Sequence, residues 1–344
     1  MRVTNKMLSN NFLRDMRTNL TNMSRIQGQM TSGKQITKAS DDPFKSSRIM
    51  QMYSDIDANK QYNSNIKNTT NWLDTTDTAL SHVGNVAGRI EELLVSAGNG
   101  SYSSEQRQAI KDEINQRVQE VSQVLNTSFD GKYIFGGTRG TTKPTETKAG
   151  GTGGLNSELV YSKIGGGELV VPNPPVDTDP STIEYNQINS KLLVEVSQGV
   201  TMDYNVTASQ VINYGTGTGE NLMKLLGDIT SHLDSKPTDS AGTANPNYAD
   251  DIKALTNADL EGIQKVTTNI LKLRSEVGAK QNRMESAEAR NVDQNFNMTE
   301  ILSATEDIDI TEKTMEYATM QTVYMASLQT SAKVLQPSLL DYLR

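Results

Sequence analysis

His82 and His232 are the only imidazoles in the 344 residues, and there is no cysteine. Disulfides, thiolate nucleophiles and thiolate metal sites are therefore excluded. Neither histidine has a second one nearby. HExxH and GxSxG are absent, and Ser231-His232 is a dipeptide, not a triad. Both histidines read as helix-surface residues. Two stretches remain. "VINYGTGTGENLMKLL", residues 211–226, has the strand, glycine loop and helix order of a phosphate cradle. Its third required glycine is Glu220, whose charge repels a pyrophosphate while suiting the helix dipole, and no βαβ unit surrounds it. It reads as a joint followed by an N-cap. The second stretch is Asp41-Asp42. Adjacent carboxylates point in different directions, and two alone make a weak cation site. A structural reading gives each residue a task. Gly33 closes one helix in the left-handed conformation, and Asp42 caps the next with Pro43 at its first position. No catalytic residue, cofactor or metal is expected.

The elements that carry these residues follow from periodicity. Leu13, Met16, Leu20, Met23 and Met30 hold a 3-4 spacing that ends at Gly33, with Gln27 its one polar position. Ile66, Thr69, Leu73, Thr76, Leu80, Val83, Ala87, Ile90, Leu94 and Ala97 continue the pattern to Gly98-Asn99-Gly100. Ser103-Ser104-Glu105 starts another helix, with Ile110, Ile114, Val121 and Val124 on its apolar face. In the C-terminal arm one heptad register runs Ile263, Val266, Ile270, Leu273, Val277, Lys280, Met284, Ala287, Asn291, Gln294, Met298, Ile301, Thr305, Ile308. A last amphipathic stretch follows. Tyr317, Tyr324, Leu328 and Leu335 share a face there, widened by Met315, Met320, Val323 and Met325. The middle differs: 15 of the 25 glycines fall between 131 and 219, and five of the 9 prolines lie in 144–180. Leu192, Val194, Val196 and Val200, Met202, Tyr204, Val206 alternate like strands about Ser197-Gln198-Gly199, and "ELVYSKIGGGELVV" reads as a second hairpin.

The predicted fold is mainly α with an inserted β domain: the two chain arms form an elongated antiparallel helical bundle, with the β-rich insertion between them. The expected division is 1–35 plus 309–344 as a terminal-helix core, 36–137 plus 216–308 as a long-helix rod, and 138–215 as the insertion. Aromatic content of 5% is low for one thick core. A net charge of −8 offers no footprint for nucleic acid. No run is apolar enough to span a bilayer, and "MRVTNKMLSNNFLRDM" does not read as a cleaved secretory signal. The apolar stripe near each terminus is too broad for one helix pair to bury, which marks it as an assembly surface. Its residues are Met7, Leu13, Met16, Leu20, Met23, Tyr317, Tyr324, Leu328, Leu335, Leu339 and Leu340. The joint is assigned to Gly33, Asp41, Asp42 and Pro43. Isolated polar seam positions (Thr69, Thr76, Lys280, Asn291, Gln294) can fix register; several in one seam suggest a surface that faces water or other subunits.

"MRVTNKM…NNFLRDM", "SGKQITKASDDP" and the ending "QPSLLDYL" resemble the flagellin superfamily of bacteria over roughly 1–137 and 216–344. Within it, Asp41-Asp42-Pro43, "GKYIFGGT" at 131–138 and Leu339-Leu340-Asp341-Tyr342-Leu343 resemble the hook–filament junction subunits more than filament flagellins. Arg344 departs from that ending. The resemblance implies a non-enzymatic structural subunit of a tubular assembly, with terminal helices innermost and the β insertion outermost. It implies export by the flagellar type III apparatus, from the cytoplasm to the extracellular flagellum. It further implies a cytosolic chaperone on the C-terminal helix, hook-associated protein 1 and flagellin as neighbours, and copies of itself in a ring. A short flagellin is the alternative reading. A signalling coiled coil would need a membrane span or kinase motif, and neither is present. An inserted metalloprotease lacks histidine ligands.

Overall fold

The computed structural model describes residues 5–98, 102–150, 154–171, 177–215, 220–237 and 245–334. Nine helices and six short strands occur among them: α1 Asn5–Ser32, α2 Pro43–Ala97, α3 Ser104–Leu125, β1 Ser128–Phe129, β2 Lys132–Tyr133, β3 Thr145–Gly150, β4 Asn156–Tyr161, α4 Pro180–Ile188, β5 Leu193–Ser197, β6 Val200–Asp203, α5 Ala208–Ile212, α6 Leu222–Asp234, α7 Tyr248–Thr256, α8 Ala258–Glu306 and α9 Ile310–Val334. The chain is mainly helical, with three two-stranded antiparallel sheets in its middle. It divides into two compact units, 1–61 with 292–344, and 62–291. Both boundaries fall inside the long helices α2 and α8. The sequence division at 35/36 and 308/309 lies within the first unit.

In the second unit the long seams dominate. All ten α2 positions from Ile66 to Ala97 are buried, as are Ile263, Val266, Ile270, Leu273, Val277, Met284 and Ala287 of α8. Polar pairs flank the two seams: Arg274 reaches Asp77 (2.9 and 3.0 Å), Gln281 reaches Asp74 (2.7 Å) and Gln264 reaches Glu91 (2.9 Å). Numbers rise on one helix as they fall on the other, so the pair is antiparallel. α2 buries a second line, Trp72, Ala79, Val86 and Leu93, because more than one element packs on it. α3 joins through Ile114, Val118, Val121 and Leu125, and a capping box of Ser103 and Gln106 starts it. Lys111 of α3 is buried and ion-paired to Asp234 of α6, whose other oxygen accepts from Asn156 of β4 (3.1 Å).

The middle segment shares this core. Leu159, Tyr161, Leu169, Ile188, Val196, Met202, Val206 and Val211 belong to one apolar cluster with the α2, α3 and α8 seams. The β5–β6 hairpin forms where the alternation predicts it, with Gly199 at φ +72. The "ELVYSKIGGGELVV" stretch turns back at Gly165–Gly167, where Ser162 bridges Glu168, but its main partner is β3. "GKYIFGGT" sits between α3, α4 and α5. Ile134 and Phe135 are fully buried, Ala208 N donates to Phe135 O, and Thr138 N to Gln187 O. A Cβ on Gly137 would stand 2.3 Å from Gln187 O, so only glycine fits. Arg139, also buried, donates to Glu184 (3.0 Å), Lys143 O (2.9 Å) and Ser162 O (2.6 Å).

Two sequence readings are corrected here. The polar seam positions do not all face water. Lys280 pairs with Asp203 (2.7 Å) and Asn291 donates to Val196 O (2.8 Å), so both hold the β5–β6 hairpin. Thr69 and Thr76 donate to carbonyls one turn back, Asn65 O and Trp72 O (both 2.8 Å), and only Gln294 is exposed. His232 is not a helix-surface residue. It is half-buried at the end of α6 and meets the buried Asp259 of α8 at 2.7 Å, whereas His82 is exposed. The Asp259 hydrogen bond raises the His232 pKa above 6.5, against the opposing effect of burial. A raised folded pKa means that this contribution is whole below about 6.5 and disappears as pH climbs through the folded value. The urea midpoint of the second unit is therefore expected to fall as pH rises above that range. His232→Gln should flatten the slope relative to wild type, and an unchanged slope in that variant would sink the assignment.

Candidate assembly surface

The first unit contains both terminal helices and the segments that join them to α2 and α8. A small core of Ile49, Ile56 and Leu302, with Ile36, Met52 and Met298 against it, closes the α2 and α8 ends. Here the α8 register shifts. After Asn291 the inward positions are Asn295, Met298, Leu302 and Thr305, so Ile301 is exposed and Leu302 is buried in its place. A strict continuation of the heptad through Gln294 and Ile301 is thus corrected by one residue. Two successive steps of four, Ala287 to Asn291 to Asn295, produce the shift.

α1 packs on α9. The inward line of α1 is Phe12, Met16, Met23, Ile26 and Met30, with Gln29 buried beside it. On α9 the inward positions step by four and three: Lys313, Tyr317, Met320, Tyr324, Ser327 and Ser331. The predicted stripe is therefore split. Met16 is buried, and Met23, Tyr317 and Tyr324 are partly buried between the helices. Met7, Leu13, Leu20 and Leu328 point outward. Leu335, Leu339 and Leu340 lie outside the described residues. The 3-4 spacing groups Leu13 and Leu20 with Met16 and Met23 as one seam. The fold instead buries Ile26 and leaves Leu13, Leu20 and Gln27 facing out.

After α1 and α9 have packed, large apolar side chains on the outer sides of both helices are still in water. On α1 they are Met7, Leu13 and Leu20; on α9 they are Ile310, Met315, Val323, Met325 and Leu328, each between 44% and 63% exposed. Single exposed apolar residues need no explanation, but eight on two paired helices form a surface that association would bury.

The joint between α1 and α2 is built from short-range bonds. Gly33 has φ +72, and its N–H donates to Gln29 O (2.8 Å), ending α1. Asp41 Oδ2 accepts from Lys38 N (3.0 Å), Thr37 N (3.3 Å) and Thr37 Oγ1 (3.3 Å). The Lys38 amide, more than any other neighbour, lowers the Asp41 pKa below the usual carboxylate range. Asp42 Oδ1 accepts from Lys45 N (3.0 Å), with Pro43 as the first helical residue of α2. All four joint residues lie inside the first unit. Asp309 repeats the device for α9, accepting from Thr311 N (2.8 Å) and Glu312 N (3.2 Å).

A cluster the sequence reading missed ties the two joints together. Lys34 pairs with Asp307 as an isolated antiparallel bridge, Gln35 N donates to Glu306 O (2.6 Å), and Ile308 N to Gly33 O (3.1 Å). Beneath these, Lys34 Nζ donates to Glu306 Oε1 (2.6 Å) and to Tyr53 OH (3.0 Å), and Tyr53 OH donates to Glu306 Oε2 (2.6 Å). The Glu306 carboxylate is buried, and its hydrogen bond pushes the Lys34 pKa well up. The available signal was the break after Glu306: Asp307 to Asp309 ends one periodic run and starts another, opposite the Gly33 stop.

Among the described residues no cluster of three or more His, Asp or Glu side chains could hold a metal ion, and no helix is long and apolar enough to cross a membrane.

Comparison with known proteins places the chain. The model for the bacterial flagellin N-terminal helical region matches residues 3–139, and that for the bacterial flagellin C-terminal helical region matches 260–343. Flagellar hook-associated protein 3 of Escherichia coli (strain K12) is 23% identical over 328 residues, covering 95% of each chain. A flagellin of Clostridium tyrobutyricum is 23% identical over 92% of this chain and 94% of its own. The structure of a putative flagellar hook-associated protein from Vibrio parahaemolyticus superposes with a TM-score of 0.57 at 19% identity, over 78% of this chain and all of that one. Hook-associated protein 3 of Legionella pneumophila also gives 0.57, at 15% identity over 74% of this chain and 98% of its own. With both helical arms matched by the family's models, over more than half of its residues, the chain belongs to the flagellin family.

Proposed function

We propose that this chain is the adaptor subunit joining the flagellar hook to the filament, working by helix–helix packing and without catalysis. The large apolar side chains left exposed on the outer sides of the paired helices α1 and α9 are the observation that carries an assembly role. The junction reading, as against the filament, rests on the end-to-end match to hook-associated protein 3 sequences and on Asp41-Asp42-Pro43, "GKYIFGGT" and "SLLDYL". The proposed neighbours are copies of the chain in a ring, hook-associated protein 1 on the hook side and flagellin on the filament side. Before export through the type III apparatus, a cytosolic chaperone covers the apolar C-terminal helix. The flagellin of Clostridium tyrobutyricum, matched at the same identity over nearly the same length, keeps a short flagellin as the second reading. Antibody labelling of intact flagella separates the two. One band at the hook end is expected, and label along the whole filament would make the chain a flagellin.

The assembly surface can be tested without unfolding the subunit, because its residues are already in water. Burying one large aliphatic side chain contributes about 1.5–3 kcal/mol. Leu20→Glu with Val323→Glu is therefore expected to weaken incorporation by about 100-fold or more in a competition against wild type, with an unchanged circular dichroism spectrum. Met16→Glu, pointing between the helices, should instead cost subunit stability. Equal incorporation of the double variant and wild type would remove the proposed surface.

The Lys34–Tyr53–Glu306 cluster is proposed to position α1 and α9 for that packing. Glu306→Ala leaves the Lys34 ammonium and Tyr53 hydroxyl without their buried acceptor, at a cost of about 2 kcal/mol. Hydrogen exchange should then speed up at residues 34–36 and 306–308 and stay unchanged in the β5–β6 hairpin. Protection retained at 34–36 would show that the backbone bridge alone suffices.

A further inference from the structure

Trp72 is the chain's single tryptophan. It is 7% exposed, and its indole N–H has no hydrogen-bond acceptor among the described residues. Its ring meets Phe129 and Tyr204 edge to face, with centroids 5.9 and 5.7 Å apart and planes at 80° and 87°. The three rings come from α2, β1 and the residue after β6, and together they line a cavity of about 590 Å³ within the second unit. Asn68, Thr69, Asp130 and Lys132 complete the lining. The Thr69 hydroxyl is committed to Asn65 O (2.8 Å). The side chains of Asn68, Asp130 and Lys132, and the Tyr204 hydroxyl, have no hydrogen-bond or ion-pair partner among the described residues. Asp130 takes φ +50 in the tight β1–β2 turn, which puts its carboxylate at the edge of the aromatic cluster.

The lining discriminates between ligand classes. An apolar peptide side chain would use the rings and draw nothing from the exposed polar rim of Asn68, Asp130 and Lys132. An anion would meet Asp130, and a cation would meet Lys132. A pyranose satisfies both parts: its C–H face lies on an aromatic ring, and its hydroxyls donate and accept around the edge. The cavity is also within the size range of small-molecule sites. The geometry points to a saccharide-binding site that takes one or two pyranose units, from a free saccharide or from a glycan carried by a neighbouring protein. This site is independent of the junction reading.

The lone tryptophan reports on its own site. In one arm, emission of the purified full chain is titrated with hexoses, N-acetylhexosamines and their disaccharides; in the other, with the same sugars linked to a serine peptide. A saturable change is expected, weakened about tenfold or more by Asn68→Ala or by Asp130→Asn, each of which removes one polar contact. Both side chains are exposed and asparagine tolerates the left-handed backbone, so circular dichroism should not change. A response in both arms supports the site with free saccharides as ligands. A response in the second arm alone supports it with a protein-borne glycan as the source, provided the bare peptide is silent. The inference is overturned if no sugar in either arm changes the emission, if the variants respond like wild type, or if the unglycosylated peptide gives the same signal.

Discussion

The bidentate contact of Arg274 with Asp77 marks the constraint on which the fold depends: each long helix has too narrow an apolar stripe to be stable alone, so α2 must bury its seam against α8. Isolated helices of this composition are marginal in water, and two such stripes become a core only when they face each other. These contacts beside the seam, one half-exposed ion pair and two amide–carboxylate hydrogen bonds, add little energy. Their value is specificity, because Asp74, Asp77 and Glu91 match Gln281, Arg274 and Gln264 in one antiparallel register only. The first and last parts of the chain must therefore meet before either long helix is secure. Everything between them, from α3 to α7, is packed on a scaffold that its own flanks provide.

The same requirement is left half-met at the termini. α1 and α9 face each other through Met16, Ile26, Tyr317, Met320 and Tyr324, yet both keep apolar side chains in water on their other sides. Within a subunit that arrangement wastes hydrophobic stabilisation. In a polymer it holds stabilisation in reserve for contact with a neighbour. The Glu306 cluster fits that division of labour. It fixes where α1 ends and α9 begins by main-chain bridging and one buried carboxylate, so their mutual position does not rely on a deep apolar core.

How much of this was legible in the sequence depended on how local the cause was. The heptads from Ile66 to Ala97 and from Ile263 to Ala287 gave the buried seams almost residue by residue, since a 3-4 pattern has one helical solution. The β5–β6 hairpin followed from strict alternation and a glycine turn. Terminal faces were harder. In α1 the apolar stripe is wider than the face that α9 covers, and periodicity alone does not say which edge stays outside; Leu13 and Leu20 border the buried face and remain exposed. Long-range polar pairs were not legible at all. Nothing local announces that Lys34 and Tyr53 share a carboxylate 272 and 253 residues away, or that His232 meets Asp259 across α7.

The polar positions in the α8 seam show why a middle segment of such different composition is still part of one unit. A lysine and an asparagine at core-facing heptad positions would each cost stability if they met only apolar neighbours. Lys280 and Asn291 instead meet Asp203 and Val196 O of the β5–β6 hairpin, and Asn65 of α2 donates to Glu195 O (3.3 Å) from the other side. The hairpin is thus specified by hydrogen bonds as well as by Val196 and Met202. A segment merely hung between two rods would need no such polar receivers, and the heptads could have stayed apolar throughout. Their presence argues that the middle of the chain and the long helices were fitted to each other, and that a transplanted insertion would need Lys280 and Asn291 changed along with it.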